Sequence, residues 1–432
     1  MDKITFLGAG STIFARNVLG DCMLTPSLQD FEYALFDIDP VRLSDSAAML
    51  EAINRNVNNC RGRIVTYSDR RKALAGARFV VNAVQVAGYE PGTVIDFEIP
   101  KKYGLRQTIG DTLGIGGIFR ALRTIPVVLD FARDMAEVCP DALLLNYSNP
   151  MAMLTGALLL HGGVRAVGLC HSVQVCVPHL FRDLNMDPSG VEAHIAGINH
   201  MAWLLKVKKN GVDLYPEVKR RAAARPAPHS DTVRYEIMKR FGCYVTESSE
   251  HNAEYNPWFI KSRYPELIGR FNIPLDEYPR RCIRQIDEWK KMRAELTGNP
   301  ELRHTRTHEY ASSIMDAVQT DVPFRIAGNV LNDGLITNLP ADACVEVPCM
   351  VDRTGINPCR VGKLPVQLAA LNMTSINVQL VTIEAAVTHR RDLVYQAALL
   401  DPHTAGELSI DDVVKLCDEL IEAHGSWIPP LS

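Results

Sequence analysis

Short apolar runs, each followed by a polar turn and a segment of helical spacing, organise the first part of the chain. The first run, Ile4–Leu7, stops at a glycine-rich turn, and Thr12–Met23 then has the periodicity of a helix. A second run, Tyr33–Phe36, ends in acidic residues and leads into Arg42–Val57, which again has helical spacing. This order predicts a βαβ unit at the N-terminus.

Two further apolar runs, Phe79–Gln85 and Leu143–Leu145, predict buried strands in the same part of the chain. Strands that alternate with helices form a parallel sheet that is covered on both faces. We therefore predict an α/β fold in which residues 1–190 form a Rossmann-like, doubly wound N-terminal domain.

Beyond about residue 190 the pattern changes, and polar or helical segments are interrupted by proline-rich turns. Val233–Arg240 and Arg281–Leu296 have helical character, whereas Arg221–Ser230 is rich in Ala, Arg and Pro and predicts an exposed loop. The segment Leu364–His424 is strongly helical, and we expect it to pack on the first domain or on another subunit. A second, mixed α/β domain over residues 191–432 follows from this pattern.

Composition narrows the classes of partner and the compartment. A chain of 432 residues with 47% hydrophobic residues is long enough to bury a large core. Its formal net charge of −4 is too small to indicate a nucleic acid or a membrane surface as partner. No signal-peptide pattern opens the chain, and no uninterrupted apolar run reaches the roughly 18 residues of a membrane span. Eleven cysteines without framework spacing indicate reduced thiols, so we expect a cytoplasmic protein.

The glycine-rich turn after the first strand has the features of a nucleotide site. Gly8, Gly10 and Ser11 allow the backbone to approach a pyrophosphate at the start of the following helix, although the third glycine of the usual motif is missing. Asp37 follows the second strand, where a carboxylate binds an adenosine ribose and repels a 2′-phosphate, which favours NAD. A purely structural turn, and helix N-capping by Asp37 or Asp39, remain open.

Two polar sequences follow short apolar runs further along the chain. Cys170 and His171 come after Ala166–Leu169, and His200 comes after another short run. If these runs are neighbouring strands, a thiolate and an imidazole at their ends can hold a divalent cation. The alternatives are a buried cysteine that packs as a small hydrophobe and a structural histidine.

The segment 246–258 is dense in acids, hydroxyls and an imidazole beside aromatic residues, which indicates the wall of a site. Tyr255 in this segment has an ordinary pKa of about 10, so it acts as a base near neutrality only if a cation stabilises its phenolate. The alternative interpretation of this segment is a solvated loop in which Tyr255 and Trp258 only pack against neighbouring side chains.

Seven motifs occur in order along nearly the whole chain, from Lys3 to about Ile428: ITFLGAGSTIF, GYEPGTVIDFEIPKKYGL, DTLGIGGIFRALRTIP, NYSNPMAM, GLCHSVQ, AGINHMAW and ESSEHNAEYNPWFI. In these motifs the chain closely resembles the family 4 glycoside hydrolases, and within them the melibiase-type α-galactosidases. The resemblance implies an NAD-binding Rossmann-like domain over residues 1–190. It also implies a domain for substrate, metal and oligomerisation over residues 191–432, and assembly into homodimers or homotetramers.

The resemblance also assigns roles to individual residues. Cys170 and His200 match the metal ligands, with Mn²⁺ or another divalent cation as the metal, and Asn149 matches a sugar-binding position. Tyr255 matches the proposed base, and His171 stands where relatives have an acid candidate.

Three further positions bear on the general acid, on the type of substrate and on the contacts of the sugar or cofactor. Many family members have Asp where this chain has His171, so Asp111 is a second candidate for the general acid. Members that act on 6-phosphorylated sugars usually have Arg after the tyrosine that matches Tyr89, whereas this chain has Glu90, which favours an unphosphorylated substrate. Arg281 contacts the sugar or the cofactor, or else forms a salt bridge.

The implied activity is hydrolysis of small-molecule, unphosphorylated α-galactosides, of the melibiose and raffinose type. The resemblance implies that it proceeds by NAD-mediated oxidation at carbon 3, elimination of the leaving group, water addition and re-reduction. Within the family, α-glucosidase, α-glucuronidase or α-galacturonidase specificity stays open, because one epimeric hydroxyl changes only one or two contacts. A 2-hydroxyacid dehydrogenase and a non-catalytic NAD sensor are alternatives from other classes. The dehydrogenase would accumulate NADH, and the sensor would bind nucleotide without turnover.

Overall fold

The computed structural model describes residues 1–432 and contains thirteen strands and seventeen α-helices. The strands are β1 (Lys3–Leu7), β2 (Glu32–Phe36), β3 (Arg63–Tyr67), β4 (Phe79–Asn82), β5 (Leu143–Asn146), β6 (Arg165–Gly168), β7 (Val191–Ile198), β8 (Met201–Lys209), β9 (Val212–Asp213), β10 (Tyr244–Val245), β11 (Phe324–Leu331), β12 (Cys344–Asp352) and β13 (Gly355–Pro358).

The helices are α1 (Thr12–Met23), α2 (Pro40–Asn58), α3 (Arg70–Leu74), α4 (Val94–Lys102), α5 (Gly114–Val138), α6 (Met151–Ala157), α7 (Ser172–Asp183), α8 (Tyr215–Ala224), α9 (Thr232–Phe241), α10 (Ser249–Glu254), α11 (Glu266–Arg270), α12 (Glu277–Gly298), α13 (Ala311–Thr320), α14 (Val366–Thr388), α15 (Arg391–Leu400), α16 (Pro402–Glu407) and α17 (Ile410–His424).

All thirteen strands belong to one sheet, and its first half has the predicted doubly wound order. The strands β3-β2-β1-β4-β5-β6 are parallel and adjacent in this order. This is the arrangement of dinucleotide-binding sheets, with the change of direction between β1 and β4. The α/β prediction for the N-terminal half is confirmed.

The second half of the sheet is antiparallel and continues from β6 through β11, β12, β7, β8 and β10. β9 pairs with β8, and β13 pairs with β12. The chain therefore leaves the sheet after β6, adds β7 further along it, and returns later to insert β11 and β12 between them. The mixed α/β texture predicted beyond residue 190 corresponds to this antiparallel part.

Two features of the first half differ from prediction, the end of β4 and the presence of β3, and each has a physical reason. β4 ends at Asn82 rather than Gln85, because its neighbour β1 ends at Leu7 and the last ladder bond runs from Ala83 N to Leu7 O at 3.0 Å. β3 was not predicted, because this edge strand is half exposed and alternates charged, apolar and hydroxyl side chains without an apolar run.

The predicted helices of the second half are present as α9 and α12, each somewhat longer than predicted. The loop predicted over Arg221–Ser230 is wrong for its first four residues, which complete α8 with Ala222 buried. The C-terminal helices pack back on the first half, α14 against α5 and α6, and α17 against α4. This packing agrees with the first of the two expectations for that segment.

Helix α14 is long and apolar enough to span a membrane by length and composition alone. Here it packs against α5, α6 and α15, and the buried side-chain amide of Asn372 is paired. The Asn372 carbonyl accepts from Trp203 Nε1 at 3.1 Å, and its amide donates to Met201 O at 2.8 Å. These contacts identify α14 as a core helix of this fold.

One row of residues crosses the sheet where its parallel and antiparallel halves meet. Gly168 on β6 pairs with Asn329 on β11, Asn329 pairs with Glu346 on β12, and Glu346 pairs with Gly197 on β7. The prediction that the runs before Cys170 and His200 are neighbouring strands is therefore wrong, because β11 and β12 lie between β6 and β7. That insertion comes from residues more than a hundred positions later, which local pattern does not show.

Candidate active site

The turn after β1 has the close backbone packing of a phosphate-binding turn. Gly8 has φ of +87°, and a Cβ built on it would lie 2.8 Å from Ala83 O, so only glycine fits. Ser11 precedes α1 without capping it through its side chain. The first backbone N–H groups of α1 thus remain available to an anion.

Asp37 is held against this turn. Its Oδ2 accepts from Gly10 N at 2.6 Å and its Oδ1 accepts from Asp39 N at 2.9 Å. Asp39 is the residue that caps α2, accepting from the first two backbone amides of the helix that are free to donate. The N-capping interpretation therefore holds for Asp39 and does not hold for Asp37.

A cavity of about 280 Å³ adjoins the turn and is lined by two of the three predicted catalytic residues, Asp111 and His171, but not by Tyr255. Ser11 of the nucleotide turn and Cys170 both line it. Five more polar or aromatic side chains that line the cavity are Asp111, Arg120, Asn149, His171 and Tyr278. Nucleotide turn and candidate chemistry thus share one space, as expected for a ligand at the carboxyl ends of the parallel strands.

Cys170 and His200 converge with Glu247 into a group whose ligand atoms all lie within 4.8 Å of one another. The Nε2 atom of His200 is 3.4 Å from Glu247 Oε2. A thiolate, an imidazole and a carboxylate form a donor set that suits a divalent transition cation. Glu247 was not singled out from the sequence, although the polar density of segment 246–258 already marked that region as a site wall.

Electrostatics around this group also fit a cation. Burial raises the pKa of the Cys170 thiol, as does the charge of Glu247, while Ser172 and Asn199 lower it. Burial alone would raise the pKa of Glu247, but the charges of His200 and His251 lower it to about 2. A divalent cation would favour the thiolate form of Cys170 that binds metal.

Tyr255 follows α10 and lies directly beside the group. Its hydroxyl is 2.8 Å from His200 Nδ1, and the residue is 1% exposed. Burial raises the pKa of Tyr255 well above its ordinary value, and the charges of Asp111, Glu254 and Glu247 add to the effect. Tyr255 therefore keeps its proton until a positive charge is placed near it.

Asp111 lies on the cavity wall as an ionised group. Its Oδ1 is 3.6 Å from His251 Nε2, and its Oδ2 accepts from Asn149 Nδ2 at 3.4 Å. Burial alone would raise the pKa of Asp111, but the hydrogen bond of His251 and the charges of Arg120 and the two nearby histidines lower it. A carboxylate of this kind accepts hydrogen bonds and is a poor proton donor.

His171 also lines the cavity. Its Nε2 is 2.8 Å from Glu309 Oε2, and this hydrogen bond raises the pKa of His171 against the opposing effect of burial. Glu309 comes from the segment before α13, which also brings the Tyr310 hydroxyl to Cys170 O at 3.0 Å. Sequence alone offered no signal for Glu309.

The structure gives no support to substrate contact by Arg281. It does not line the cavity, and its guanidinium pairs with Glu250 at 3.0 Å and with Glu277 at 3.8 Å, which is the salt-bridged alternative. The cation that lines the cavity is Arg120, whose Nε donates to Asn149 O at 3.2 Å and whose Nη1 donates to the Tyr278 hydroxyl at 3.2 Å. The sequence analysis did not single out Arg120. Its position in the apolar stretch of α5 could have indicated a functional role, because arginine is seldom buried unless it is paired.

The loop before Asp111 is fixed by a single carboxylate on α10. Glu254 is 2% exposed and accepts from the backbone N–H groups of Thr108 at 2.8 Å, Ile109 at 3.2 Å and Gly110 at 2.8 Å. It directly precedes Tyr255, so one buried side chain joins the loop before Asp111 to the segment that bears Tyr255.

Residues 3–186 match the family 4 glycosyl hydrolases, and residues 195–404 match the C-terminal domain of the same family. The chain belongs to glycosyl hydrolase family 4. This family member is 62% identical to an α-galactosidase of Bacillus subtilis over 99% of both chains. It is 37% identical to an α-galactosidase of Rhizobium meliloti over 99% of this chain and 89% of the relative, and 31% identical to an α-glucosidase of Erwinia rhapontici over 99% and 98%.

Among solved structures, the family 4 fold is shared closely. A putative glucosidase from Bacillus subtilis superposes with a TM-score of 0.85 at 25% identity, covering 97% of this chain and 99% of that one. A 6-phospho-α-glucosidase from gut microorganisms, in complex with NAD and Mn²⁺, superposes with a TM-score of 0.83 at 20% identity over the whole of both chains. The resemblance inferred from the sequence motifs is confirmed at the level of family and fold.

Proposed function

We propose that this chain is an NAD- and divalent-metal-dependent α-galactosidase that hydrolyses unphosphorylated α-galactosides of the melibiose and raffinose type. The observation that carries the proposal is one cavity lined both by Ser11 of the nucleotide turn and by Cys170, whose thiol converges with His200 and Glu247. The Tyr255 hydroxyl contacts His200 of the same group. Most glycoside hydrolases use two carboxylates, and NAD-dependent family 4 is an exception to that rule. The two α-galactosidases at 62% and 37% identity support the choice of sugar.

The residues present fit both cofactors. The turn at Gly8 leaves no room for a side chain, and α1 presents uncapped amides next to it. Cys170, His200 and Glu247 would hold Mn²⁺ or a similar cation. When bound, NAD supplies reversible hydride transfer at carbon 3 of the sugar, and the cation supplies Lewis-acid stabilisation of charge on the neighbouring oxygens.

Each residue of the chain then has a distinct task. The Tyr255 phenol, once deprotonated, removes the proton from carbon 2, which the carbon 3 ketone has made acidic. Asp111 accepts hydrogen bonds from sugar hydroxyls, and Asn149, which is bonded to it, donates to them. His171 gives its proton to the oxygen of the leaving group as the bond to carbon 1 breaks.

We assign the acid role to His171 rather than Asp111 because of their surroundings. His171 lines the cavity and is paired with a carboxylate, which favours its protonated form. Asp111 faces His251 and Arg120, which favour its ionised form. The two groups are thus driven apart in protonation state, as an acid and an acceptor require.

The preference for an unphosphorylated sugar rests on the segment that follows β4. Glu90 stands after Tyr89, where the resemblance places an arginine in members that act on 6-phosphorylated sugars. A carboxylate at this position repels a phosphate group instead of binding it.

The test is hydrolysis of p-nitrophenyl α-galactoside and α-glucoside by reduced protein after dialysis against a chelator. We expect nitrophenol release from the galactoside only when NAD and Mn²⁺ are both added back. Release without NAD would refute the oxidative route, and preferential release from the glucoside would change the sugar. Deuterium at carbon 3 should slow the reaction, and NADH should not accumulate, which separates this function from that of a dehydrogenase.

We also propose that the enzyme is a cytoplasmic homodimer or homotetramer. All eleven cysteines are free, which agrees with a reducing compartment. Helix α12 supports self-association, because it has 22 residues, buries only Cys282, and exposes the apolar side chains of Ile283, Ile286 and Met292. Light scattering on the purified protein measures the mass directly, and an Ile286→Lys variant should shift it towards the monomer. Fractionation of the source cells tests the compartment.

A further inference from the structure

Glu346 is a buried carboxylate on β12, in the row of residues that connects β6, the strand before Cys170, to β7, the strand before His200. It is 1% exposed and lies in the row between Asn329 and Gly197. Its Oε1 accepts from Asn329 Nδ2 at 3.3 Å, and the same amide donates to Gly168 O at 3.2 Å. Its Oε2 has no hydrogen-bond partner.

The protein groups around Glu346 do not balance its charge. Burial raises the pKa of Glu346 well above its ordinary value, Cys170 and Glu247 raise it further, and His200 and Asn329 only partly oppose them. A buried carboxylate without a cation or a full set of donors is strongly unfavourable. A cation close to Glu346 would favour its ionised form.

A second observation points to the same place. Asn199, which directly precedes His200, is 1% exposed, and its side chain has no hydrogen-bond partner other than the Cys170 thiol, whose pKa it lowers. The carbonyl oxygen of Asn329 is also unpaired. Unsatisfied buried polar groups are few in folded proteins, so the unpaired atoms of Glu346, Asn329 and Asn199 indicate that a further polar or charged group belongs in this region.

We propose that Glu346 is a charge-compensating residue of the divalent-metal centre, acting on the cation from behind the Cys170–His200–Glu247 group. It lies outside the set of three whose atoms approach within 4.8 Å, so it acts on the cation by its charge and not as a ligand. Asn329 bridges Glu346 to β6, and Glu346 pairs with β7, so this one row connects the strand before Cys170 to the strand before His200. The inference rests on the proposed function, because it requires that the group binds a metal.

The test compares Mn²⁺ affinity with the stability of the metal-free protein in a Glu346→Gln variant. We expect the dissociation constant for Mn²⁺, from calorimetry or from the electron paramagnetic resonance of free Mn²⁺, to rise by about tenfold or more. The midpoint of thermal unfolding of the metal-free variant should stay the same or rise, since the substitution removes a burial cost. A purely structural role predicts the opposite pattern, with lower stability and unchanged affinity.

Glu32 offers a matched control, because it is also a buried carboxylate, 4% exposed. Its negative charge is balanced within the protein by salt bridges with Lys3 and Arg63. Glu32→Gln should lower the stability of the metal-free protein and leave Mn²⁺ affinity unchanged. A Glu346→Met variant, apolar and of similar size, should repeat the result of Glu346→Gln.

The possible outcomes separate this inference from the proposed function. Equal Mn²⁺ affinity of Glu346→Gln and the unmodified protein would overturn the role of Glu346 alone. Absence of Mn²⁺ binding by the unmodified protein would overturn the proposed metal centre and this inference with it. Failure of both Glu346 variants to fold would also overturn the inference, because the carboxylate would then be required by the fold itself.

Discussion

Substitution of Glu254 by Gln should destabilise the protein and lower its turnover, because this one side chain fixes the loop before Asp111. The carboxylate accepts from three backbone N–H groups, those of Thr108, Ile109 and Gly110, all buried. A glutamine carbonyl has two lone pairs, so at least one N–H loses its acceptor, and the new amide group brings a donor towards the loop.

The magnitude follows from two opposing effects. A buried N–H without a partner costs roughly 1–3 kcal/mol, and charge-assisted hydrogen bonds are about twice as strong as neutral ones. Burial raises the pKa of Glu254, so removing the charge returns part of this loss. We expect a net destabilisation of about 2 kcal/mol. Displacement of Asp111 should lower kcat by roughly tenfold or more.

The assay is urea unfolding followed by circular dichroism, with Glu250→Gln as the matched control on the same helix. The Glu250 side chain is 31% exposed and pairs with Arg281, so its replacement should cost about 0–1 kcal/mol. Equal unfolding midpoints for the two variants, with equal slopes, would refute the reasoning. So would an unchanged kcat in Glu254→Gln.

Three further outcomes test other parts of the structure. Gly10→Ala should raise the dissociation constant of NAD by about tenfold or more, because the added Cβ would lie 2.7 Å from Asp37 Oδ2. Fluorescence titration measures this constant. The control is Gly269→Ala, whose Cβ would meet no atom within 4 Å and which should bind NAD normally. Cys170→Ser should abolish Mn²⁺ binding in calorimetry while leaving NAD binding intact. Burial alone would raise the pKa of Glu32, but its hydrogen bonds lower it, so its stabilisation is present above the unfolded pKa and is lost as pH falls through the folded pKa. Glu32→Gln should therefore be about 1–2 kcal/mol less stable than the unmodified protein at pH 7 and equally stable in acid, as followed by thermal unfolding.

The parts of the fold that follow from local pattern were predictable, and the parts that depend on distant register were not. The β1–α1–β2 unit is encoded by apolar runs, a glycine turn and helical spacing within forty consecutive residues. Cys170 and His200 were recognisable because each follows an apolar run. The strands that lie between them come from residues 324–352, and no local signal shows where such strands insert.

The same distinction between local pattern and tertiary packing separates the site residues that the sequence indicated from those that it did not. Glu247 and Tyr255 belong to one short polar segment, which the sequence already indicated as a site wall. Glu309 and Glu346 reach the site only through tertiary packing, and each looks ordinary in its own stretch of sequence. Arg281 shows the converse, since a cation near a motif proved to be satisfied by two acids.

The continuous sheet has a consequence for any attempt to divide this protein. A fragment ending near residue 190 would expose the edge of β6 and the faces of α5 and α6 that α14 covers, and the remaining fragment would expose the edge of β11. Open sheet edges and uncovered apolar faces promote aggregation. The two segments that match the family, residues 3–186 and 195–404, do not overlap in sequence. Expression of either segment alone should nevertheless give inclusion bodies, and co-expression should be needed to recover a native assembly.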